Sequence, residues 1–296
     1  MKYNKRLAVP LPLLAILILN FTGCKKCEEK ELNVSVMTYN VAGLPEGISS
    51  SHPLLYSSSI SPLLNGYNIV HMQEDFCYHD SILLSNTHPY RTETLGCVPG
   101  GDGLNTLSAF PISGLYREAW INCTGFDCYT PKGFSYSQIT LLGEKIDFYN
   151  VHCNAGSSDA SKTARRGNLA QICNYIALHS TDNAVIIMGD FNSRYTREGD
   201  TIRAFLDMGF KDVWVELIHS GTVPDISSSS LSDCDSVRTN ANCERIDKMF
   251  YRSNSKIEIT PTSYQLDDAR FYYQGNDTLQ LSDHWPASAK FNFKKK

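Results

Sequence analysis

A succession of short apolar runs in this chain ends in side chains that can hold a cation or exchange a proton. Val36-Met37-Thr38-Tyr39 leads into Asn40, Val70-His71-Met72-Gln73 into Glu74, and Phe148-Tyr149-Asn150-Val151 into His152. Val185-Ile186-Ile187-Met188-Gly189 leads into Asp190 and, past Phe191, Asn192. Asp247 lies within Arg245-Ile246-Asp247-Lys248-Met249, and Asp283 and His284 within Ser282-Asp283-His284-Trp285-Pro286. Carboxylates and amides are hard oxygen ligands suited to Mg²⁺-type cations, and imidazole beside carboxylate suits proton transfer and anion neutralisation. A single Asp after a strand is most often a turn or cap residue, and a single His before Trp-Pro a structural one. Repetition of the pattern at strand after strand is not explained by turns. A rigid sheet that fixes such side chains while its loops stay open is a common way to build a site.

The elements that must position these groups are mostly strands. Residues 32–41, 68–72, 107–112, 134–142, 146–151, 184–188, 246–251, 256–264 and 287–293 read as strands, rich in β-formers and bounded by turn residues. Residues 161–177 form the best helix, because Leu169, Ile172, Cys173 and Ile176 recur at helical spacing and give one buried stripe. Residues 201–208 read as a second helix, 43–61 as a loop, and 220–242 as a long polar surface loop. Many strands with few helices between them suggest layered sheets with helices outside.

Composition is that of an ordinary globular protein, 42% hydrophobic and 20% charged, so a sizeable core is expected and disorder is not. The formal net charge of −4 weakens a nucleic-acid reading, since phosphate-backbone binders carry a basic surplus. Lys2, Lys5 and Arg6 followed by an apolar stretch at 7–19 read as a signal peptide over 1–23. Phe21-Thr22-Gly23-Cys24 resembles a bacterial lipobox, which implies acylation at Cys24, a tether over 24–31 and one domain over 32–296. Export as a lipoprotein, or simple secretion, is the expected destination. Ten cysteines suit an oxidising compartment. Cys123 with Cys128, and Cys234 with Cys243, are candidate loop-closing disulfides, whereas Cys77, Cys97, Cys153 and Cys173 have no assignable partner. No zinc-type cysteine and histidine spacing follows the leader.

The ordered set Asn40, Gln73-Glu74, His152, Gly189-Asp190-Phe191-Asn192, Arg245-Ile246-Asp247 and Ser282-Asp283-His284 resembles the motif series of the endonuclease/exonuclease/phosphatase superfamily over nearly the whole chain past the leader. The resemblance implies a four-layer α/β/β/α sandwich of two mainly antiparallel sheets with outer helices. It implies Glu74, Asn40 and Asp283 on the metal side, with Mg²⁺ as the cofactor and Mn²⁺ or Ca²⁺ as alternatives. It further implies Asp190 as the group that orients or deprotonates the attacking water, Asn192 as a holder of phosphate or nucleophile, and His284 as the phosphoryl-neutralising imidazole supported by Asp247. His152 would contact the phosphate or the leaving group.

The substrate is less legible. Lys132-Gly133-Phe134-Ser135-Tyr136 resembles a stretch of bacterial sphingomyelinases and makes Lys132 a candidate phosphate contact, with a solvated turn lysine as the alternative. Asn154-Ala155-Gly156 is closer to abasic-site endonucleases and makes Asn154 a second substrate-binding candidate. No exposed aromatic hairpin is evident, and Trp120 and Trp214 read as core. The leading expectation is a monomeric phosphodiesterase acting on a phospholipid or small phosphodiester and held to the membrane by its N-terminal lipid. An exported nuclease, an inositol-phosphate phosphatase and a non-catalytic binding protein are the alternatives.

Overall fold

The computed structural model describes residues 1, 30–227, 243–276 and 278–296. Its elements in chain order are β1 (Glu31–Asn40), α1 (Pro53–Ile60), β2 (Ile69–Gln73), α2 (His79–Leu83), β3 (Tyr90–Arg91), β4 (Asn105–Ser108), β5 (Ile112–Ala119), β6 (Gly133–Leu141), β7 (Glu144–His152), α3 (Asp159–His179), β8 (Val185–Asp190), α4 (Ala204–Asp207), β9 (Lys211–Asp212), α5 (Val213–Ile218), β10 (Asp247–Arg252), β11 (Ile257–Leu266) and β12 (Ala287–Lys295). Among the described residues the strands form two six-stranded sheets, ordered β11-β12-β1-β2-β4-β3 and β5-β6-β7-β8-β10-β9. Each is antiparallel except for one central parallel pair, β1 with β2 and β7 with β8.

Strand alternation sorts the side chains into layers. Val34, Val36, Ile69, Phe148, Ile186, Met188, Phe291 and Phe293 pack between the sheets as one fully buried cluster. The opposite face of the second sheet, through Tyr149, Val151, Ile187 and Phe250, packs on Leu169, Ile172 and Ile176 of α3 and on Phe205 and Trp214. The outer face of the first sheet, through Met37, Tyr39, Val70 and Met72, is covered by Tyr56 and Ile60 of α1 and by Ile82 of α2. The architecture is therefore helix, sheet, sheet, helix, as the motif resemblance implied. The α3 stripe is the one read from sequence, and Ser158 caps the helix by accepting the Ser161 amide at 3.1 Å.

Several boundaries differ from the sequence reading. The stretch 43–61 contains α1, which begins at Pro53 in the N-terminal position where proline costs no hydrogen bond. The strand read at 107–112 is the end of β4 and the start of β5, separated by Ala109-Phe110-Pro111. Only Ala204–Asp207 of the 201–208 stretch is α-helical. Strand β1 begins at Glu31, the last residue of the expected tether and one residue before the strand read from 32. Cys77 and Cys97, left unassigned, form a disulfide, and Cys123–Cys128 forms as expected. Cys243 is also disulfide-bonded; its expected partner Cys234 within 228–242, and residues 2–29, which hold nearly all of the expected 1–23 leader and most of the 24–31 tether, lie outside the described residues.

Candidate active site

Strand register alone brings several of the flagged residues together. Asp190 is paired with His152 on one side and with Asp247 on the other, so three of them stand in one row across β7, β8 and β10. Their parity is that of Phe148, Met188 and Met249, so the row faces the opposite sheet. From the first sheet Asn40 is paired with Gln73 at the same end of its parallel pair. Moving along the inter-sheet space, the apolar core gives way to a buried polar layer. There Gln73 Nε2 donates to Asn150 Oδ1 at 2.7 Å, and Asn150 Nδ2 donates to the Met72 carbonyl at 2.9 Å, tying the two sheets. The site opens just beyond this layer.

Gly189 is required for the row to form, because a Cβ there would lie 2.0 Å from the Val151 carbonyl oxygen. Glu74 leaves its strand with φ +55°, a left-handed conformation that a glutamate adopts only when its surroundings impose it. Its carbonyl accepts the Gly43 amide at 3.0 Å and the Phe76 amide at 2.8 Å, and a Cβ on Gly43 would lie 2.5 Å from that oxygen. The turn aims the Glu74 carboxylate back toward Asn40, whose Nδ2 lies 3.3 Å from Glu74 Oε1 and 3.2 Å from Asp190 Oδ2. Asn40 thus presents its NH₂ to both carboxylates while its Oδ1 accepts the Ala42 amide at 3.0 Å. In this arrangement it braces the carboxylates.

His284 Nδ1 donates to Asp247, 3.2 and 3.1 Å from its two oxygens, and its Nε2 lies 3.7 Å from Asp190 Oδ2. Burial opposes charge on this imidazole, but Asp247, Asp190 and Asp283 outweigh it and hold its pKa well above the ordinary histidine value. Burial pushes the Asp190 carboxyl up to about 7, against the pull of His284 and with a further push from Asp247. Burial also raises Glu74, with Lys132 as the main opposing charge. His152 is kept neutral by burial and by the cations Lys132 and His284, and neither of its ring nitrogens has a hydrogen-bond partner. Its Nε2 lies 3.4 Å from Asp190 Oδ2 and 3.8 Å from Glu74 Oε1.

Asn192, at φ +50°, donates through its backbone to Asp190 Oδ1 at 2.9 Å and through its amide to Asp190 Oδ2 and to the Cys153 carbonyl, each at 3.2 Å. Asp283 is exposed at the rim and accepts from the Ser50 and Ser282 hydroxyls. Lys132 is buried, not solvated, and its Nζ lies 2.8 Å from Asp127 Oδ1. Asn154 is also buried, its Oδ1 occupied by the Thr124 amide at 2.8 Å and its Nδ2 by the Ala155 carbonyl, so it braces the disulfide-closed loop. Asp127 was missed by sequence reasoning; its place inside the Cys123–Cys128 loop, next to Lys132, was the available signal. Trp120 is half-buried and donates its indole N–H to the His152 carbonyl at 2.6 Å.

Residues 47–230 match the model of Endonuclease/Exonuclease/phosphatase family 2. The chain belongs to that family. A sphingomyelinase of Mycobacterium tuberculosis (strain ATCC 25618 / H37Rv) is 36% identical over 285 residues, covering 92% of this chain and 55% of that protein. The chain therefore spans about half the length of the curated relatives it matches. Among solved structures, a beta toxin of Staphylococcus aureus with bound magnesium ions superposes with TM-score 0.59 at 18% identity, covering 87% of this chain and 99% of that one. A D. rerio TDP2 complexed with single-strand DNA product superposes with TM-score 0.61 at 18% identity, covering 88% and 98%. At this identity both support the family fold and leave the substrate open.

Proposed function

We propose that this chain is a divalent-cation-dependent phosphodiesterase that releases the phosphorylated headgroup of sphingomyelin-like lipids. The observation that carries the reading is the convergence of Glu74 and Asp190 with the His284–Asp247 pair at strand ends of both sheets. The sphingomyelinase relatives favour a choline phosphodiester over a nucleic acid, as does the net charge of −4.

The residues present fit a hard cation. Glu74, Asp190, Asp247 and Asp283 supply negative charge that Lys132 and His284 only partly offset, and burial raises both Glu74 and Asp190. Asp190, Asp247 and His284 each offer a ligand atom within 4.8 Å of the others, but the hydrogen bond between His284 and Asp247 commits those two to each other. Glu74 is the better principal ligand, with Asp283 at the rim and Asn40 holding the carboxylates apart. Oxygen donors without thiolates suit Mg²⁺, with Mn²⁺ or Ca²⁺ as substitutes. When bound, such an ion would offset phosphoryl charge and polarise the ester.

The chain's own groups supply the rest. A carboxyl raised toward neutrality is a suitable general base, so Asp190 takes the proton of the attacking water while Asn192 fixes its orientation. The His284 imidazolium, locked by Asp247, faces the developing charge on phosphorus-bound oxygen. Neutral His152 and the Lys132 ammonium line the phosphate side. The Cys77–Cys97 and Cys123–Cys128 disulfides suit an exported protein, processed before Cys24 and acylated there, with one monomeric domain over 32–296.

A substrate panel tests the reading: sphingomyelin vesicles, supercoiled plasmid and inositol polyphosphates, each with Mg²⁺, Mn²⁺ and Ca²⁺. Phosphocholine release is expected. Plasmid nicking or free phosphate without phosphocholine would replace the lipid reading, and inactivity on all three would remove the enzyme assignment.

A further inference from the structure

The connection between β5 and β6, residues 120–132, carries its apolar side chains outward. Phe126 is 90% exposed, Ile121 82% and Tyr129 74%. Phe126 and Tyr129 sit three residues apart in the 3₁₀ turn Gly125–Tyr129, and at three residues per turn they share one face. The turn is closed by Cys123–Cys128 and tied down from within: Asp127 accepts the Ala155 amide at 2.5 Å and pairs with Lys132, and Thr124 donates to Asn154. These apolar side chains therefore stand on a fixed base beside the phosphate side of the cleft.

A second apolar rim lies across the cleft. The connection after β1 leaves the site at Gly43, hydrogen-bonded to Glu74, and returns to it where Ser50 donates to Asp283. Between these anchors it exposes Ile48 at 71%, and the first turn of α1, which follows directly, exposes Leu54 at 72%. Large apolar groups so exposed on both rims of a polar cleft mark an interaction surface. A protein pressed against both rims would cover the cleft. A lipid surface would instead deliver headgroups into it, and Phe and Tyr side chains suit the boundary between headgroups and acyl chains.

We infer that the 120–132 connection and the 44–54 segment, which runs into the start of α1, form a paired docking surface for a zwitterionic lipid bilayer, seating the apolar tips in the membrane with the active site between them. The inference rests on the lipid-headgroup reading above, and the net charge of −4 favours a zwitterionic over an anionic surface.

The test uses the mature chain from residue 24 carrying Cys24→Ser, so that neither the apolar leader nor an acyl group holds it to the membrane. A reporter, Tyr129→Trp, is mixed with phosphatidylcholine–sphingomyelin vesicles containing brominated phosphatidylcholine. The double variants Phe126→Ser/Tyr129→Ser and Ile48→Ser/Leu54→Ser are assayed on vesicles and on soluble bis(p-nitrophenyl) phosphate. Docking predicts quenching of the reporter and about tenfold or greater loss of vesicle kcat/KM in each double variant. Turnover of the soluble ester should stay at the parent rate. An unquenched reporter, or vesicle activity unchanged in both variants, overturns the inference. So does concentration-dependent dimerisation of the parent that the variants abolish without a change on vesicles, which would make the surface a self-contact. Quenching without headgroup release would leave docking intact and defeat the lipid-substrate reading; release without quenching would do the reverse.

Discussion

Replacing Asp247 by asparagine isolates the charge that holds His284 as an imidazolium. The two side chains are almost isosteric, and the introduced amide would keep an oxygen for the Nδ1–H that now lies 3.1–3.2 Å from the carboxylate. What disappears is the negative charge. At an effective dielectric of about 20, opposite unit charges about 3 Å apart interact by about 5 kcal/mol. Part of that is recovered as a neutral hydrogen bond, so a loss of about 10²–10³-fold in kcat/KM is expected at pH 8. The sign follows from the causes of the shift. Burial alone favours neutral His284, and Asp247 is the largest force raising it, so the variant deprotonates at lower pH than the parent. The alkaline limb of kcat/KM for a soluble phosphodiester should therefore move to lower pH, with much of the lost rate returning on acidification. A variant that is slow at every pH with an unmoved alkaline limb would refute the electrostatic role and leave Asp247 as a steric prop.

Asp190→Asn should abolish at least ~10²-fold of turnover yet stabilise the cation-free fold at alkaline pH. A carboxyl whose folded pKa is raised to about 7 penalises the folded state once pH rises past its unfolded value, and fully so above about 7; scanning calorimetry should show the variant's Tm advantage at pH 8 and not at pH 4. Gly189→Ala should destabilise by about 3 kcal/mol or more in denaturant titration, because the new methyl meets the Val151 carbonyl at 2.0 Å. Lys132→Ala should lower kcat/KM for a soluble phosphodiester by about 10–10²-fold while leaving far-ultraviolet circular dichroism unchanged, since Lys132 is the main positive charge opposing the burial of Glu74.

Much of this site was legible because it follows strand parity. Once 146–151 and 184–188 read as strands, residues two apart share a face, and the polar group at each end falls on the face that holds Phe148 and Met188. What the pattern could not carry was information held in loops and turns. Glu74 owes its direction to a left-handed backbone step enforced by Gly43 and Phe76, which no periodicity signals. Cys77 and Cys97 are 20 residues apart and meet only because the intervening chain folds back. Asn154 and Lys132 differ in what surrounds them: one is spent bracing a loop, the other is buried beside Asp127 with its charge acting on the carboxylates. Helix α1 was hidden by its serines, although Pro53 marked where it starts.

The most direct measurement is a Mg²⁺ titration of chelator-treated protein on sphingomyelin vesicles, following phosphocholine release in the parent and in Glu74→Gln. The account predicts no release without the cation, full recovery in the parent, and a requirement for at least about tenfold more Mg²⁺ in the variant. Release that persists after chelation, or identical Mg²⁺ dependence in the two proteins, would contradict it.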